Sequence, residues 1–430
     1  MNCGSIAAGP SAAAWTNLGT VLKEMGELDA ALEAYSQAIA IDDSRPLSHY
    51  NLGVCLHAKG RITEALRSFE TAAALDPRHV GAAYNMGVLQ QELGEPLVAA
   101  HSYRNVLELD PLHPDARLNY CNILSSLSDF DMSERCYLDL LTLHPSLVRG
   151  MVALAGLYHS QTSTEHLAAA LDLYQRSLEL EPGNAMARHG AAALSGASAA
   201  VLDVDYIREL FDGYSGSFDA SLASLGYRVP EILTSLILRS WDALGLSNSS
   251  GLNVLDLGAG TGLACSAMRT RAPTLVATVI GVDLSANMLR RAEALGCYNQ
   301  THVDEAGVFL AEYSGPPFDL IVAADVLVYI PYLEELFSNC QRSLTSNGLL
   351  AFTVELPAAD ERDSMDAGKM LPTGRYSHSQ RYVEQGARAA GLSVVFAEAC
   401  TPRMDRGKPI EGMAFVFASA AAERVNHSEL

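Results

Sequence analysis

The stretch Val254-Leu-Asp256-Leu-Gly258-Ala-Gly260-Thr-Gly262 decides how the second half of this 430-residue chain is read. An apolar run closing on three nearby glycines predicts a buried strand that turns sharply into a helix. Glycine lets a ligand approach the backbone there. The dinucleotide fingerprint fails, because Leu263 stands where its third glycine belongs, and no lysine follows as a phosphate loop requires. Asp256 beside the loop would repel a pyrophosphate and suits a ligand with a cationic end.

Three further segments follow in order. Val279-Ile-Gly-Val-Asp283 ends 21 residues after Gly262, the spacing at which an acid takes ribose hydroxyls. Val303-Asp304-Glu305-Ala306 offers a carboxylate to an adenine amino group, from Asp304 or from Glu305. Phe318-Asp-Leu-Ile-Val-Ala-Ala324-Asp325-Val-Leu-Val-Tyr329 predicts a buried strand whose end floors the pocket. The runs Asn253–Leu257, Val276–Val282, Leu320–Ala323, Gly348–Glu355, Leu392–Glu398 and Gly412–Phe417 alternate with helical stretches. That rhythm predicts a largely parallel, doubly covered sheet with its ligand beyond the carboxyl ends of the strands.

In this order the four segments resemble the class I S-adenosylmethionine-dependent methyltransferases. The resemblance implies a Rossmann-like α/β domain with S-adenosylmethionine as cofactor. It gives the loop of Asp256, Gly258, Ala259, Gly260, Thr261 and Gly262 to the methionine moiety, Asp283 to the ribose and Asp304 to the adenine. Leu284, Met288, Glu305, Ala324, Asp325 and Tyr214 complete the implied cofactor site. The segments Leu210-Phe-Asp-Gly-Tyr214-Ser-Gly-Ser-Phe218 and Gly374-Arg375-Tyr376-Ser377-His378-Ser379 are similar to those of predicted methyltransferases carrying N-terminal tetratricopeptide repeats.

Methyl transfer is an in-line displacement, so alignment and exclusion of water supply most of the acceleration. A base is needed only for an acceptor that must lose a proton. Asp325, Tyr329 and His378 are the catalytic candidates, and Tyr214 with Phe218, four apart on one expected helix, are candidates for a lid. The aperiodic stretch Pro357–Tyr376 is expected to be a mobile cover. Asp325-Val-Leu-Val lacks the Pro-Pro tetrad of nucleic-acid amine methyltransferases and the paired glutamates of arginine methyltransferases. Tyr329 falls one residue later than in the Asp-x-x-Tyr of some lysine methyltransferases. A small-molecule or carrier-bound acceptor, with oxygen or carbon as nucleophile, is therefore favoured over a protein methylated after recruitment by the repeats, or a non-catalytic scaffold.

Before residue 200 a period of 34 dominates. Gly19, Gly53 and Gly87 keep it, as do Ala31, Ala65 and Ala99, and Tyr35, Phe69, Tyr103 and Tyr137. Small residues let helix backbones approach, and aromatics fill the groove between them. With Trp15-x-x-Leu18-Gly19 followed by Ala31, Tyr35 and Ala38, the units resemble the tetratricopeptide repeat, an all-α solenoid. The resemblance implies a concave groove for a protein or peptide partner, of basic character given the acidic side chains available. Three extra residues in the fifth unit are placed in the turn around Gln161–Glu165, and Ala185–Ala197 reads as a capping helix. The expected layout is a tail 1–11, repeats 12–198, a helical opening segment 199–249, the Rossmann-like domain 250–420 and a tail 421–430, with a linker over Ser195–Ala200.

Composition agrees with two or three globular domains, at 49% apolar and 18% charged residues. The net charge of −21 is spread as −10 up to residue 200 and −11 beyond it, without a basic cluster, which argues against nucleic acid. Eight scattered cysteines without a C-x-x-C pair predict free thiols in a reducing compartment and no metal site. No apolar run reaches membrane-spanning length and no leader pattern opens the chain, so a cytoplasmic location is expected.

Overall fold

The computed structural model describes residues 10–419 apart from 128, 162, 196–202, 217, 247–250, 274, 364–367, 372 and 406. Most of both expected tails and of the linker lies outside the described residues. The chain divides after Leu173 into two compact units.

The first unit is built from antiparallel helix pairs. They are α1 (Ala12–Glu24) with α2 (Leu28–Ile41), α3 (Pro46–Ala58) with α4 (Ile62–Leu75), and α5 (Val80–Glu92) with α6 (Pro96–Leu109). Then come α7 (Pro114–Ser126) with α8 (Phe130–Leu143), and α9 (Val148–His159) ahead of α10 (Thr164–Leu180). Gly26, Gly60 and Gly94 end first helices with φ of +80°, +72° and +77°, which other residues rarely adopt. The period is a packing rule: a Cβ on Gly19, Gly53 or Gly87 would lie 2.7, 2.7 or 2.8 Å from the ring of Tyr35, Phe69 or Tyr103. The extra residues of the fifth unit lie in the helix and not in the turn: α10 has 17 residues where α2, α4, α6 and α8 have 14.

The fourth member of the glycine series is Cys121, and it forms a disulfide with Cys136 at a Cα separation of 5.5 Å. Cys265 and Cys297 lie close, with Cα atoms 6.3 Å apart. The Cys121–Cys136 bond departs from the expectation of free thiols. The place where glycine lets two helices of a unit touch is also where two Cβ atoms come within disulfide reach. Cys55, Cys340 and Cys400 are free.

The second unit opens with α11 (Ala185–Ser195), α12 (Val204–Tyr214), α13 (Phe218–Ser224) and α14 (Val229–Ala243). Tyr214 and Phe218 thus stand on two helices instead of one, because the Gly213–Gly216 region breaks the run. There follow β1 (Leu252–Leu257), α15 (Leu263–Arg271), β2 (Val276–Asp283), α16 (Ala286–Ala294), β3 (Gln300–Val303), α17 (Ala306–Glu312) and β4 (Phe318–Ala323). After a 3-10 turn at Leu327–Tyr329 come α18 (Glu334–Ser343), β5 (Leu344–Glu355), and the short strands β6 (Lys369–Met370) and β7 (Tyr376–Ser377). Last are α19 (Gln380–Ala389), β8 (Leu392–Cys400), a small hairpin of β9 (Met404–Asp405) with β10 (Lys408–Pro409), and β11 (Gly412–Ser419).

The main sheet runs β3-β2-β1-β4-β5-β11-β8. Its first five strands are parallel, and β11 lies antiparallel between β5 and β8. Successive residues of β1 enter opposite cores: Leu255 and Leu257 join Phe309, Phe352 and Phe415, while Val254 joins Trp241, Val279 and Val416. Burial on both faces explains why these strands read as continuous apolar runs. Among the described residues no helix is long and apolar enough to cross a membrane, and no His/Cys/Asp/Glu cluster could hold a metal.

Candidate functional site

The sheet order reverses between β1 and β4, whose neighbours β2 and β5 lie on opposite sides, and a crevice opens beyond the strand ends there. A cavity partly open to solvent fills it. Gly258, Gly260, Asp283, Leu284, Asp304, Glu305, Ala324 and Asp325 all line this cavity, so four separate segments of the sequence reading converge. Ile207, Phe211, Phe218 and Leu222 roof it from α12 and α13. The Phe211 ring meets Phe218 at 5.9 Å and Tyr329 at 5.5 Å, edge-on in both cases.

The glycine loop works through its backbone. Gly258 and Gly260 have φ of +65° and +54°. A Cβ on Gly258 would strike Val326, whereas one on Gly260 meets nothing nearer than Phe218 at 3.8 Å and would point into open cavity. Gly260 N–H donates to Asp283 Oδ2 at 2.8 Å, and Ser285 N–H donates to Asp283 Oδ1 at 2.8 Å. Asp283 is thereby fixed at the end of β2. Burial raises its pKa, against the pull of these backbone bonds. Asp304 Oδ1 accepts from Glu305 N–H, and the Glu305 carboxylate accepts from Val308 N–H as the cap of α17. Of the two acids left open by the sequence, Glu305 is thus engaged with its own helix.

Other expected site residues lie outside the cavity wall. Tyr214 is half exposed, and Met288 is fully buried in α16. Ala259 N–H is bonded to Val282 O, Thr261 Oγ1 donates to Asp219, and Gly262 opens α15. His378 is 1% exposed with Nε2 on the Leu327 carbonyl, and burial lowers its pKa to about 4. It packs beneath the 3-10 turn and does not face the cavity, so this candidate base has no access to a ligand there.

Asp256 is fully buried, with Oδ2 accepting from Tyr298 O–H at 2.7 Å and Oδ1 unpartnered. Burial pushes its carboxyl up to about 7; the Tyr298 bond opposes this and the charge of Asp283 adds to it. The folded state therefore keeps the proton to higher pH than the unfolded chain. The stabilisation is full below the ordinary value of 3.8 and is lost as pH rises towards 7. Asp256→Asn removes that titration. Between pH 5 and pH 8 the unfolding free energy of the variant is expected to gain about 2–3 kcal/mol on the native chain, read by urea melts at both pH values. A constant difference across that window would refute the buried-acid assignment.

A charged cluster closes the far end of the cavity, joining the expected Asp325 and Tyr329 to Arg375, Glu355 and Arg403, which the sequence reading did not assign. Arg375 Nη1 lies 3.2 Å from Asp325 Oδ2 and 2.8 Å from Glu355 Oε1, and Nη2 donates to Tyr329 O–H at 2.8 Å. Arg403 Nη1 lies 2.7 Å from the same Glu355 oxygen and 3.7 Å from Asp325. Burial opposes the charge on Arg375, but Asp325, Tyr329 and Glu355 outweigh it and push its pKa up. Burial likewise works against ionised Glu355, and the two arginines overcome it and hold its pKa down. Burial pushes the Tyr329 phenol up. Asp325 takes a left-handed backbone with φ of +61°, the one non-glycine residue to do so among those described. Strain of this kind concentrates at functional sites. The signals open to a reader were the arginine in the turn Gly374-Arg375-Tyr376 and the acid Glu355 closing an apolar strand.

Residues 226–396 match a family model described as a methyltransferase domain. Residues 19–60 and 46–79 match models of the TPR repeat and the tetratricopeptide repeat. Over 155 residues the chain is 29% identical to a malonyl-[acyl-carrier protein] O-methyltransferase of Geobacter sulfurreducens, covering 36% of this chain and 54% of that one. Over 110 residues it is 30% identical to a ubiquinone biosynthesis O-methyltransferase of Rhodopseudomonas palustris, covering 25% and 42%. An uncharacterized protein of Haemophilus influenzae is 33% identical over 156 residues, covering 33% and 58%. The chain spans about half the length of the curated relatives it matches. Among solved structures, YrrB, a TPR protein with an unusual peptide-binding site, is similar at 21% identity and a TM-score of 0.37, over 42% of this chain and 91% of that one. Residues 226–396 thus carry a methyltransferase domain, and tetratricopeptide repeats lie within residues 19–79.

Proposed function

We propose that the second unit binds S-adenosylmethionine and transfers its methyl group to a small-molecule or carrier-bound acceptor, and that the repeats recruit a protein partner. The carrying observation is Gly260: its missing side chain leaves a cradle between Asp283 and the cavity, where a Cβ would meet no protein atom closer than 3.8 Å. When bound, the cofactor supplies an electrophilic methyl group on a sulfonium. Asp283 would take the ribose hydroxyls and Asp304 the adenine amino group. Phe211 and Phe218 would shield the cavity from water, and Ala324 and Asp325 would set the floor against which the acceptor is aligned. The names of the similar O-methyltransferases support an oxygen acceptor.

Calorimetry of the full chain against S-adenosylmethionine and S-adenosylhomocysteine tests this reading, and no heat with either from folded protein would end it. Asp283→Ala is expected to weaken both by about 1–3 kcal/mol, since a charged acceptor is lost along with the anchor of Gly260. An unchanged dissociation constant would move the ribose contact elsewhere.

A further inference from the structure

Four carboxylates line the cavity, Asp283, Asp304, Glu305 and Asp325, and among the described residues Arg375 is the one cation in its wall. Among the described residues no histidine, lysine or cysteine lines it. An alcohol, phenol or ammonium acceptor would need a base to remove its proton. The carboxylates of the wall are already engaged, Asp283, Asp304 and Glu305 by backbone N–H groups and Asp325 by Arg375, and burial keeps the Tyr227 and Tyr329 phenols protonated. An acceptor that arrives already deprotonated needs no base.

Arg375 is arranged to hold such an acceptor. Both hydrogens of Nη1 are taken by Asp325 and Glu355, and one on Nη2 by Tyr329. These bonds lock the guanidinium in place, with Glu355 braced in turn by Arg403. These bonds engage three of the five guanidinium hydrogens, and Arg375 lines the cavity wall, where a planar cation suits a two-oxygen anion.

We propose that the methyl acceptor is a carboxylate held by the guanidinium of Arg375, and that the product is a methyl ester. This rests on the cofactor reading above. In the step a carboxylate oxygen forms a bond to the methyl carbon as the carbon–sulfur bond breaks. The bonding pair goes to sulfur, the negative charge of the acceptor and the positive charge of the sulfonium cancel, and no proton moves. Loss of opposite charges in a poorly solvated cavity suits the reaction, while Arg375 keeps the second oxygen aligned. Asp325 and Glu355 act through Arg375 and are positioning residues.

The test incubates the full chain with methyl-labelled S-adenosylmethionine and a cell extract, then separates precipitated protein from soluble metabolites. Mild alkali follows. Methyl esters release volatile labelled methanol, whereas methyl groups on nitrogen, carbon or aryl oxygen stay put. The expected result is alkali-labile label. Its presence in the soluble fraction identifies a free acid, and its presence in the precipitate identifies a carboxylate on a protein or a carrier. R375Q should lower the labile label at least about 30-fold with cofactor affinity unchanged, and R375K should restore part of it. Because either variant could lose its fold, the chemistry of the native chain's product decides independently. Alkali-stable label, or no label while calorimetry shows the cofactor bound, overturns the carboxylate assignment and leaves the cofactor reading standing. Absent cofactor binding overturns both.

Discussion

Gly260→Val is expected to reduce affinity for S-adenosylmethionine and S-adenosylhomocysteine by more than about 100-fold while the domain still folds. The argument is steric. Only Phe218 at 3.8 Å and the Gly258 carbonyl at 3.9 Å come near a Cβ at this position, so the added methyls enter space reserved for ligand. The left-handed φ of +54° penalises valine. That penalty is about 1–3 kcal/mol, or a fall in melting temperature of about 3–10 °C for a unit of this size. Gly258→Ala is the contrasting control, since its Cβ would run into the Val326 side chain. That variant should lose stability before it loses binding. Calorimetry and thermal melts on both variants check the contrast, and wild-type affinity in Gly260→Val would remove the loop from the cofactor site.

A second large effect is expected where the second unit is shortened from its N-terminal side. Helix α11 belongs with the second unit by its contacts. Its His189 ring stacks on Tyr206 with centroids 3.6 Å apart, and His189 Nε2 donates to the Gly374 carbonyl at 2.8 Å. Arg188 pairs with Asp203 at 3.2 Å, ahead of α12. We therefore propose that residues 182–430 form a stable fragment and that residues 200–430 do not. The shorter fragment exposes the Tyr206 face and frees the turn that carries Arg375. It is expected to melt about 5–15 °C lower, or to aggregate, from a loss of about 2–4 kcal/mol. Equal melting temperatures would show that α11 is dispensable and restore a boundary near residue 199.

Much of this architecture is legible in the chain because its signals are local. A buried parallel strand is an apolar run, and the run ending at Leu257 points straight at Gly258 and Gly260. Asp283 sits where the next run stops. The repeats announce themselves because each Gly–aromatic contact recurs at one spacing. Strand β3 was overlooked since Gln300-Thr-His-Val303 is polar and largely exposed at the sheet edge. The charged cluster escaped for a different reason. Asp325, Glu355, Arg375 and Arg403 come from four segments that only the folded sheet brings together, and no spacing encodes that. His378 misled in the opposite sense. Beside the capping Ser379 it looks accessible, and only the packing of the 3-10 turn above it reveals its burial.

The position of β11 bears on the order of events during synthesis. The strand latest in sequence lies inside the sheet, between β5 and β8. Until Gly412–Ser419 has left the ribosome, β8 has no neighbour to pair with and β5 carries a bare edge beyond β4. Helix pairs such as α1 with α2 need only residues about thirty apart and can settle as they emerge. A ribosome paused after residue 400 would therefore hold a finished repeat array ahead of a sheet with open, apolar strands, the state in which nascent chains draw chaperones or associate with one another.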